Sequence, residues 1–169
     1  MNKGVSQAQE QPKGADKPQN ACLNDFLGKQ DERDTIIITT IEGTILNEGN
    51  EIPNTAFFLK MLKDSNDHHF AYIGSNPAKE MKQIRKIMHN FNFPVGITLL
   101  QEKGMEHHKY HIQSLKRQYN IICLITSDPD VADYSESFKI PVIKIKKNTE
   151  WDHNTRRKII ARVGKCSSY

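Results

Sequence analysis

Oxygen-bearing side chains follow apolar runs at three places in the sequence, in the segments TTIEGTIL (39–46), YIGSNP (72–77) and ITSDPD (125–130). Carboxylates and other oxygen donors are the ligands that a hard cation such as Mg²⁺ takes. A carboxylate attacks an electrophile as an anion at neutral pH, whereas a threonine hydroxyl first needs a base to remove its proton. The three segments are therefore the candidates for a site built from oxygen donors.

Two alternating periodicities predict the elements that must bring these segments together. Apolar, β-branched runs predict strands at 35–41, 70–74, 95–100, 121–126 and 142–145. Helical spacing predicts helices at 53–64, from 77 onward, and at 109–119, 131–138 and 151–163, with Phe57 and Ile160 on inward faces. Crossover helices imply a mainly parallel sheet, so we expect an α/β three-layer sandwich with residues 36–38 in a central strand. The polar segments then fall at the carboxyl ends of strands, where such sheets bind ligands.

The order of these segments, with a lysine between the second and the third, resembles the haloacid dehalogenase (HAD) superfamily over residues 35–146. The first HAD motif is DxDGT, and this sequence has TIEGT. Thr40 stands at the position of the nucleophilic aspartate and Glu42 at that of the general acid/base aspartate, while Gly43 and Thr44 match. The resemblance implies a HAD-like, Rossmann-like five-stranded sheet with a minimal cap, because only a short hairpin fits before the first helix.

The remaining HAD motifs imply the other site residues. Four residues are assigned to phosphate binding by the resemblance: Gly43, Thr44, Ser75 and Asn76. Lys109 matches the lysine that neutralises the phosphate and the nucleophile, with Lys103 as an alternative. Asp128 and Asp133 match the acidic motif that holds magnesium. The family implies an aspartyl-phosphate mechanism, Mg²⁺ and phosphate-ester substrates.

The departures from the family fall on its first motif. Thr40 removes the nucleophilic carboxylate and one of the two main charged ligands of Mg²⁺, and Glu42 is one methylene too long. Displacing a catalytic group by about 1 Å can cost about 100-fold in rate. We therefore expect a catalytically impaired HAD-like domain that binds a protein partner or a phosphorylated ligand, with a weakened magnesium site. Two alternatives stay open: an active magnesium-dependent phosphatase with an altered first motif, and a basic module that binds RNA or anionic lipid.

Several candidate residues also have a structural interpretation. Ser75 and Asn76 suit the cap of the helix that Pro77 begins, and Asp128 with the following proline suits a turn and a helix start. His107 and His111 lie four apart, a spacing that can bind zinc on one helix face, but no HExxH pattern and no third ligand accompany them.

Composition separates the chain into a tail and a domain. Residues 1–20 contain no Leu, Ile, Phe, Tyr or Trp, so residues 1–33 are predicted to be a flexible polar tail and 34–169 the folded domain. The three cysteines at 22, 123 and 166 are too scattered for a disulfide framework, and Cys123 is predicted to be a buried thiol. No apolar run approaches the roughly 18 residues of a membrane span, and no secretory leader is visible. A cytoplasmic location is expected, although a mature secreted chain would have the same features.

Positive charge is concentrated near the C-terminus. The net charge is +4, and residues 139–169 contain nine Lys or Arg against Glu150 and Asp152. A basic face on the last helix could attract phosphate-bearing partners, and it is the feature of the sequence that supports nucleic-acid binding. The alternative is an ordinary solvated helix face.

Overall fold

The computed structural model describes residues 32–100 and 104–164. Several expectations lie outside the described residues: almost all of the predicted tail, Cys22, Lys103, the side chain of His107, Lys165 and Cys166. The boundary predicted at residue 34 stays a prediction. No helix in the described ranges is both long and apolar enough to cross a membrane.

Seven strands and five α-helices follow one another along the described chain. The strands are β1 (Thr35–Thr40), β2 (Leu46–Asn47), β3 (Asn50–Glu51), β4 (His69–Ile73), β5 (Ile97–Leu99), β6 (Asn120–Thr126) and β7 (Val142–Lys144). The helices are α1 (Thr55–Ser65), α2 (Met81–Asn90), α3 (Gly104–Gln118), α4 (Pro129–Ser137) and α5 (His153–Gly164), and a 3₁₀ turn (Ala78–Glu80) precedes α2. All five predicted strands and all five predicted helices are therefore confirmed, with shifts at their ends.

Five of the strands form one parallel sheet in the order β5-β4-β1-β6-β7. In chain order, β4 lies beside β1 and β5 lies beside β4. The chain then crosses to the other edge of β1, where β6 pairs with β1 and β7 pairs with β6. The order thus reverses between β1 and β6, which is the topological switch point of a doubly wound sheet. The prediction of an α/β sandwich with residues 36–38 in a central strand is confirmed.

The strand β1 is buried on both faces of the sheet. Ile37 packs into a core with α1, α2 and α5, whereas Ile36 and Ile38 pack into a second core with α3 and α4. All three isoleucines have no exposed surface. Branched side chains suit this position because their restricted rotamers fit the pleated surface of a strand that is covered on both sides.

Two expectations about helix faces are wrong. Phe57 of α1 is 74% exposed and Ile160 of α5 is 47% exposed, although both were counted as inward. Each lies beside core residues in sequence, Phe58 and Ile159, and those neighbours take the inward positions. The inward face of α1 holds Phe58, Leu59 and Leu62, and that of α5 holds Ile159 and Val163. At about 100° per residue, Phe57 and Ile160 fall outside these faces.

A two-residue turn forms the hairpin between β2 and β3. Its central residues Glu48 and Gly49 both have positive φ, 50° and 79°, as the tightest hairpin turns require. The hairpin is the whole insertion between β1 and α1 apart from short connections. The predicted minimal cap is therefore what the described chain contains at this place.

His68 is a buried titratable group at the amino edge of the sheet. Its Nδ1 shares a hydrogen bond with Thr35 Oγ1, and its buried Nε2 has no hydrogen-bond partner among the described residues. Burial lowers the pKa of His68 below 6.5, more strongly than the negative charge of Asp67 raises it. The fold therefore favours the neutral imidazole.

We predict that the protein loses stability as the pH falls through about 6.5, because the unfolded chain then takes up a proton that folded His68 refuses. The loss should level off once the pH passes below the lowered pKa of the folded state. Urea unfolding at several pH values measures it, with His68→Gln as the comparison, since an amide keeps a hydrogen bond and does not titrate. Subtracting the two profiles removes the contribution of the other histidines, and identical profiles would contradict the prediction.

Candidate functional site

A cluster of four hydroxyl groups lies at the switch point. Pairing of Thr39 with Ile125 places Thr40 and Thr126 side by side at the carboxyl ends of β1 and β6. Thr40 Oγ1 is 2.6 Å from Thr44 Oγ1 and 2.9 Å from Thr126 Oγ1, and Thr44 Oγ1 is 3.0 Å from Ser127 Oγ. Thr40, Thr44, Thr126 and Ser127 are called the hydroxyl cluster below.

One tight turn of the chain brings Thr44 back under Thr40. The carbonyl oxygen of Ile41 accepts from the backbone N–H groups of Thr44, Ile45 and Leu46 at 3.0–3.3 Å. Gly43 has a φ of +76°, a conformation that other residues rarely adopt, and its N–H donates to the Leu46 carbonyl. The turn is thus the reason that positions 40 and 44 share one site.

Backbone N–H groups complete the hydrogen bonding of the cluster. Ser127 N donates to Thr44 Oγ1 and Asp128 N donates to Thr126 Oγ1, both at 3.0 Å. Thr40, Thr44 and Thr126 are each at most 5% exposed. The cluster is consequently a buried, mutually satisfied network of neutral groups, which is the form in which polar side chains are stable in an interior.

The segment after β7 closes over the same turn. Asn148 N donates to the Gly43 carbonyl at 2.8 Å, and Trp151 Nε1 donates to the Thr44 carbonyl at 3.1 Å. A Cβ atom on Gly43 would lie 2.8 Å from Lys147 Cγ, so the missing side chain makes room for the lysine stem. Lys147 is the cation that contacts this turn.

Lys109, which the sequence assigned to the site, contacts a different part of the molecule. Its Nζ lies 5.1 Å from the ring centroid of Tyr134 on α4, within the range of a cation–π interaction. The structure therefore brings together Thr40, Gly43 and Thr44 of the predicted residues and pairs Lys109 with an aromatic ring instead.

The two aspartates of the predicted metal motif make structural interactions. Asp128 is the N-cap of α4, where its Oδ1 accepts from Asp130 N at 2.9 Å and Val131 N at 3.3 Å. Asp133 lies 3.6 Å from Lys144 in an exposed ion pair on the side of β7. Within the described ranges, no group of three His, Cys, Asp or Glu side chains is placed to hold a metal ion.

Glu42 faces a separate cleft of about 280 Å³ that Glu48, Asn76 and Glu80 also line. Burial raises the pKa of Glu42, and the negative charge of Glu80 raises it further. Asn76 Nδ2 donates to Glu80 Oε2 at 3.1 Å, so its side chain joins this acidic cleft instead of capping a helix, and Ser75 lies exposed beside it. The carboxylate nearest to the first motif thus lies among other carboxylates.

Sequence reasoning missed four residues of this site: Thr126, Ser127, Lys147 and Trp151. The first two stand directly before Asp128, so the strand-end rule that selected Asp128 could have selected them as well. Lys147 and Trp151 follow the last strand and carry no comparable signal. Their placement depends on long-range packing of the segment after β7.

Comparison with known proteins finds solved structures that share this fold. No protein-family model and no curated protein matches the sequence. A chain of the Pnkp1/Rnl/Hen1 complex is 12% identical with a TM-score of 0.58, over 70% of this chain and 48% of that chain. A chain of the Pnkp1/Rnl/Hen1 RNA repair complex is 13% identical with a TM-score of 0.59, over 70% of this chain and 44% of that one. The match therefore spans less than half the length of each of those two chains. At such low sequence identity, the similarity supports the α/β fold alone.

We predict that Thr40→Val destabilises the protein by about 1–2 kcal/mol, because it removes one hydroxyl from two buried hydrogen bonds and keeps the side-chain shape. Chemical unfolding measures the change. Thr98→Val is the matched control, since Thr98 is a similarly buried strand residue outside the hydroxyl cluster. Equal effects of the two substitutions would show that the cluster adds nothing to stability.

We also predict that Glu42→Gln stabilises the protein at neutral pH. The raised pKa means that the folded state holds the Glu42 proton more tightly than the unfolded chain, so stability falls as the pH rises from about 4.5 through that pKa. The amide removes this loss, and the advantage should disappear near pH 4, where both states are protonated. Glu106→Gln, an exposed change of equal charge on α3, should give no such pH-dependent gain.

Proposed function

We propose that this domain is a HAD-like module that binds a phosphorylated ligand without turning it over. The hydroxyl cluster carries the second part of the proposal, the absence of turnover: neutral Thr40, Thr44 and Thr126 occupy the switch point, where the resemblance expects a nucleophilic aspartate and its magnesium site. The strand order, the crossover helices and the hairpin after β1 support the HAD-like assignment. One of the chains with this fold belongs to an RNA repair complex, and RNA is a phosphate-bearing ligand.

The surroundings of Thr40 argue against nucleophilic attack. Both hydrogen-bond partners of its Oγ1 are hydroxyls, and hydroxyls are too weakly basic to take its proton. Glu42, the residue in the general acid/base position, borders another cleft. Among the described residues, Thr40 therefore has no adjacent base of the kind that activates a hydroxyl nucleophile.

The donor set at the switch point also does not fit Mg²⁺. The cation prefers carboxylates and retained waters, and the hydroxyl cluster offers neutral oxygens that are already hydrogen-bonded to one another. One carboxylate oxygen of Asp128 is occupied by backbone N–H groups at the start of α4.

One observation favours the alternative of an active magnesium-dependent phosphatase. The raised pKa of Glu42 keeps this carboxyl protonated to higher pH, as a general acid needs. The same shift follows from burial near Glu80 without any catalytic role. A turnover assay distinguishes the binding module from the active phosphatase.

The test compares four proteins in hydrolysis of an aryl phosphate with Mg²⁺: the wild type, Thr40→Asp, Glu42→Asp and the double variant. We expect no appreciable turnover by the wild type and little from either single change. The double change should exceed the product of the single effects, because a nucleophile and its acid/base act as a unit. Added Mg²⁺ should raise the Tm of Thr40→Asp and leave that of the wild type unchanged.

The control for this assay is Asp128→Asn. Asparagine caps a helix about as well as aspartate and carries no charge, so α4 should stay intact while a metal ligand would be lost. Robust wild-type turnover that Asp128→Asn abolishes would refute the proposal and establish the phosphatase alternative.

A further inference from the structure

A ladder of cations and aromatic rings runs along the outer surface of α3 and α4. Lys109 Nζ lies 5.1 Å from the Tyr134 ring centroid, the Tyr134 and Phe138 centroids are 4.8 Å apart, and Lys116 Nζ lies 5.7 Å from the Phe138 centroid. The spacing of four between Tyr134 and Phe138 puts both rings on one side of α4 and its C-terminal turn. Tyr134 is partly buried against the core that α3 and α4 share, so Phe138 is the ring that this surface exposes.

An open cleft of about 560 Å³ lies at one end of this ladder. Its lining side chains are Arg33, Gln113, Lys116, Arg117 and Phe138, with no carboxylate among them. Phe138 is 36% exposed although it is a large apolar residue. Arg33 Nη1 donates to the Lys116 carbonyl and Lys116 Nζ donates to the Phe138 carbonyl, so these contacts hold the cations around the exposed ring.

The acidic residues of α4 that form ion pairs lie away from this cleft. Asp133 and Glu136 both contact Lys144 of β7, at 3.6 Å and 3.2 Å, on the side of α4 that faces the sheet edge. The cleft thus presents Lys116 and Arg117 beside an exposed aromatic ring, and its described lining contains no carboxylate.

We infer that this surface, made of Arg33, Lys109, Lys116, Arg117, Tyr134 and Phe138, binds single-stranded nucleic acid. Cations that follow a groove attract the phosphates, and an exposed ring stacks on an unpaired base whatever its identity. An uncharged protein partner would not need the cations, and inorganic phosphate alone would not need the exposed ring. The combination of the two fits a flexible polyanion that carries planar bases.

The α3–α4 surface is distinct from the basic face that the sequence suggested at residues 139–165. Lys144 is neutralised by its two carboxylates, and the stem of Lys147 packs against Gly43 at the switch point. The C-terminal cations are therefore divided among several surfaces. The α3–α4 surface shares no residue with the hydroxyl cluster, so the inference stands whether or not the domain has phosphatase activity.

Binding of a fluorescein-labelled 15-mer of oligouridylate, followed by anisotropy at several salt concentrations, tests the inference. Phe138→Leu should weaken binding about 5- to 150-fold, the usual effect of removing one stacking platform, with little change in Tm. The double variant Lys116→Gln/Arg117→Gln should weaken binding and reduce the slope of log K against log salt by about 1.4, or about 0.7 per lost phosphate contact. Oligothymidylate should bind comparably, whereas an RNA duplex should bind more weakly because its bases are already stacked.

The matched control is Lys146→Gln/Lys158→Gln, which removes the same charge from exposed positions outside the cleft. It should weaken binding less than the α3–α4 double variant. Equal losses from the two double variants, undiminished binding by Phe138→Leu, or no binding at low salt would each overturn the inference. So would equally tight binding to the duplex or to vesicles of phosphatidylcholine and phosphatidylserine.

Discussion

Burial of β1 on both faces is the constraint on which the rest of the structure depends. Its isoleucines have no exposed surface, and two separate cores are built on the two sides of this one strand. A strand in that position needs a parallel neighbour on each edge and helices above and below, which is what the β4 and β6 pairings and the five helices provide. The same constraint determines the position of the hydroxyl cluster, because the ends of β1 and β6 meet at the point where the strand order reverses.

Neutral side chains at the meeting point of β1 and β6 allow closer packing than carboxylates would. Carboxylates placed as close as the oxygens of Thr40, Thr44 and Thr126 would repel one another and would need a cation or bound water between them. Hydroxyls can each donate and accept, so they close into a buried network with two backbone N–H groups. The segment after β7 can then pack directly over the turn, with the Trp151 indole on the Thr44 carbonyl. Tight closure and an open catalytic pocket are alternatives at this position.

The sequence predicted the elements well and the site only in part. The β-branched run of β1 is typical of a strand buried on both faces, so the sequence predicted its central place in the sheet. Cys123 is buried, as its apolar neighbours in the sequence predicted. The start of α3 was placed five residues late, because polar and histidine-rich residues 104–108 show no apolar periodicity. Thr126 joins Thr40 across 86 residues, and such a contact depends on the register between two strands, which periodicity does not encode. Lys109 was assigned by motif order alone, which does not specify the ring that its ammonium group meets.

The contact between Trp151 and the Thr44 carbonyl has a spectroscopic consequence. The chain contains a single tryptophan, it is 3% exposed, and its ring and that of Phe58 meet in a T-shaped arrangement at a centroid distance of 5.9 Å. Intrinsic emission excited at the indole band therefore arises from one place, the seam between the turn after β1, α1 and the segment that leads into α5. Its wavelength and intensity report whether that seam is dry, independently of the circular dichroism of the helices as a whole.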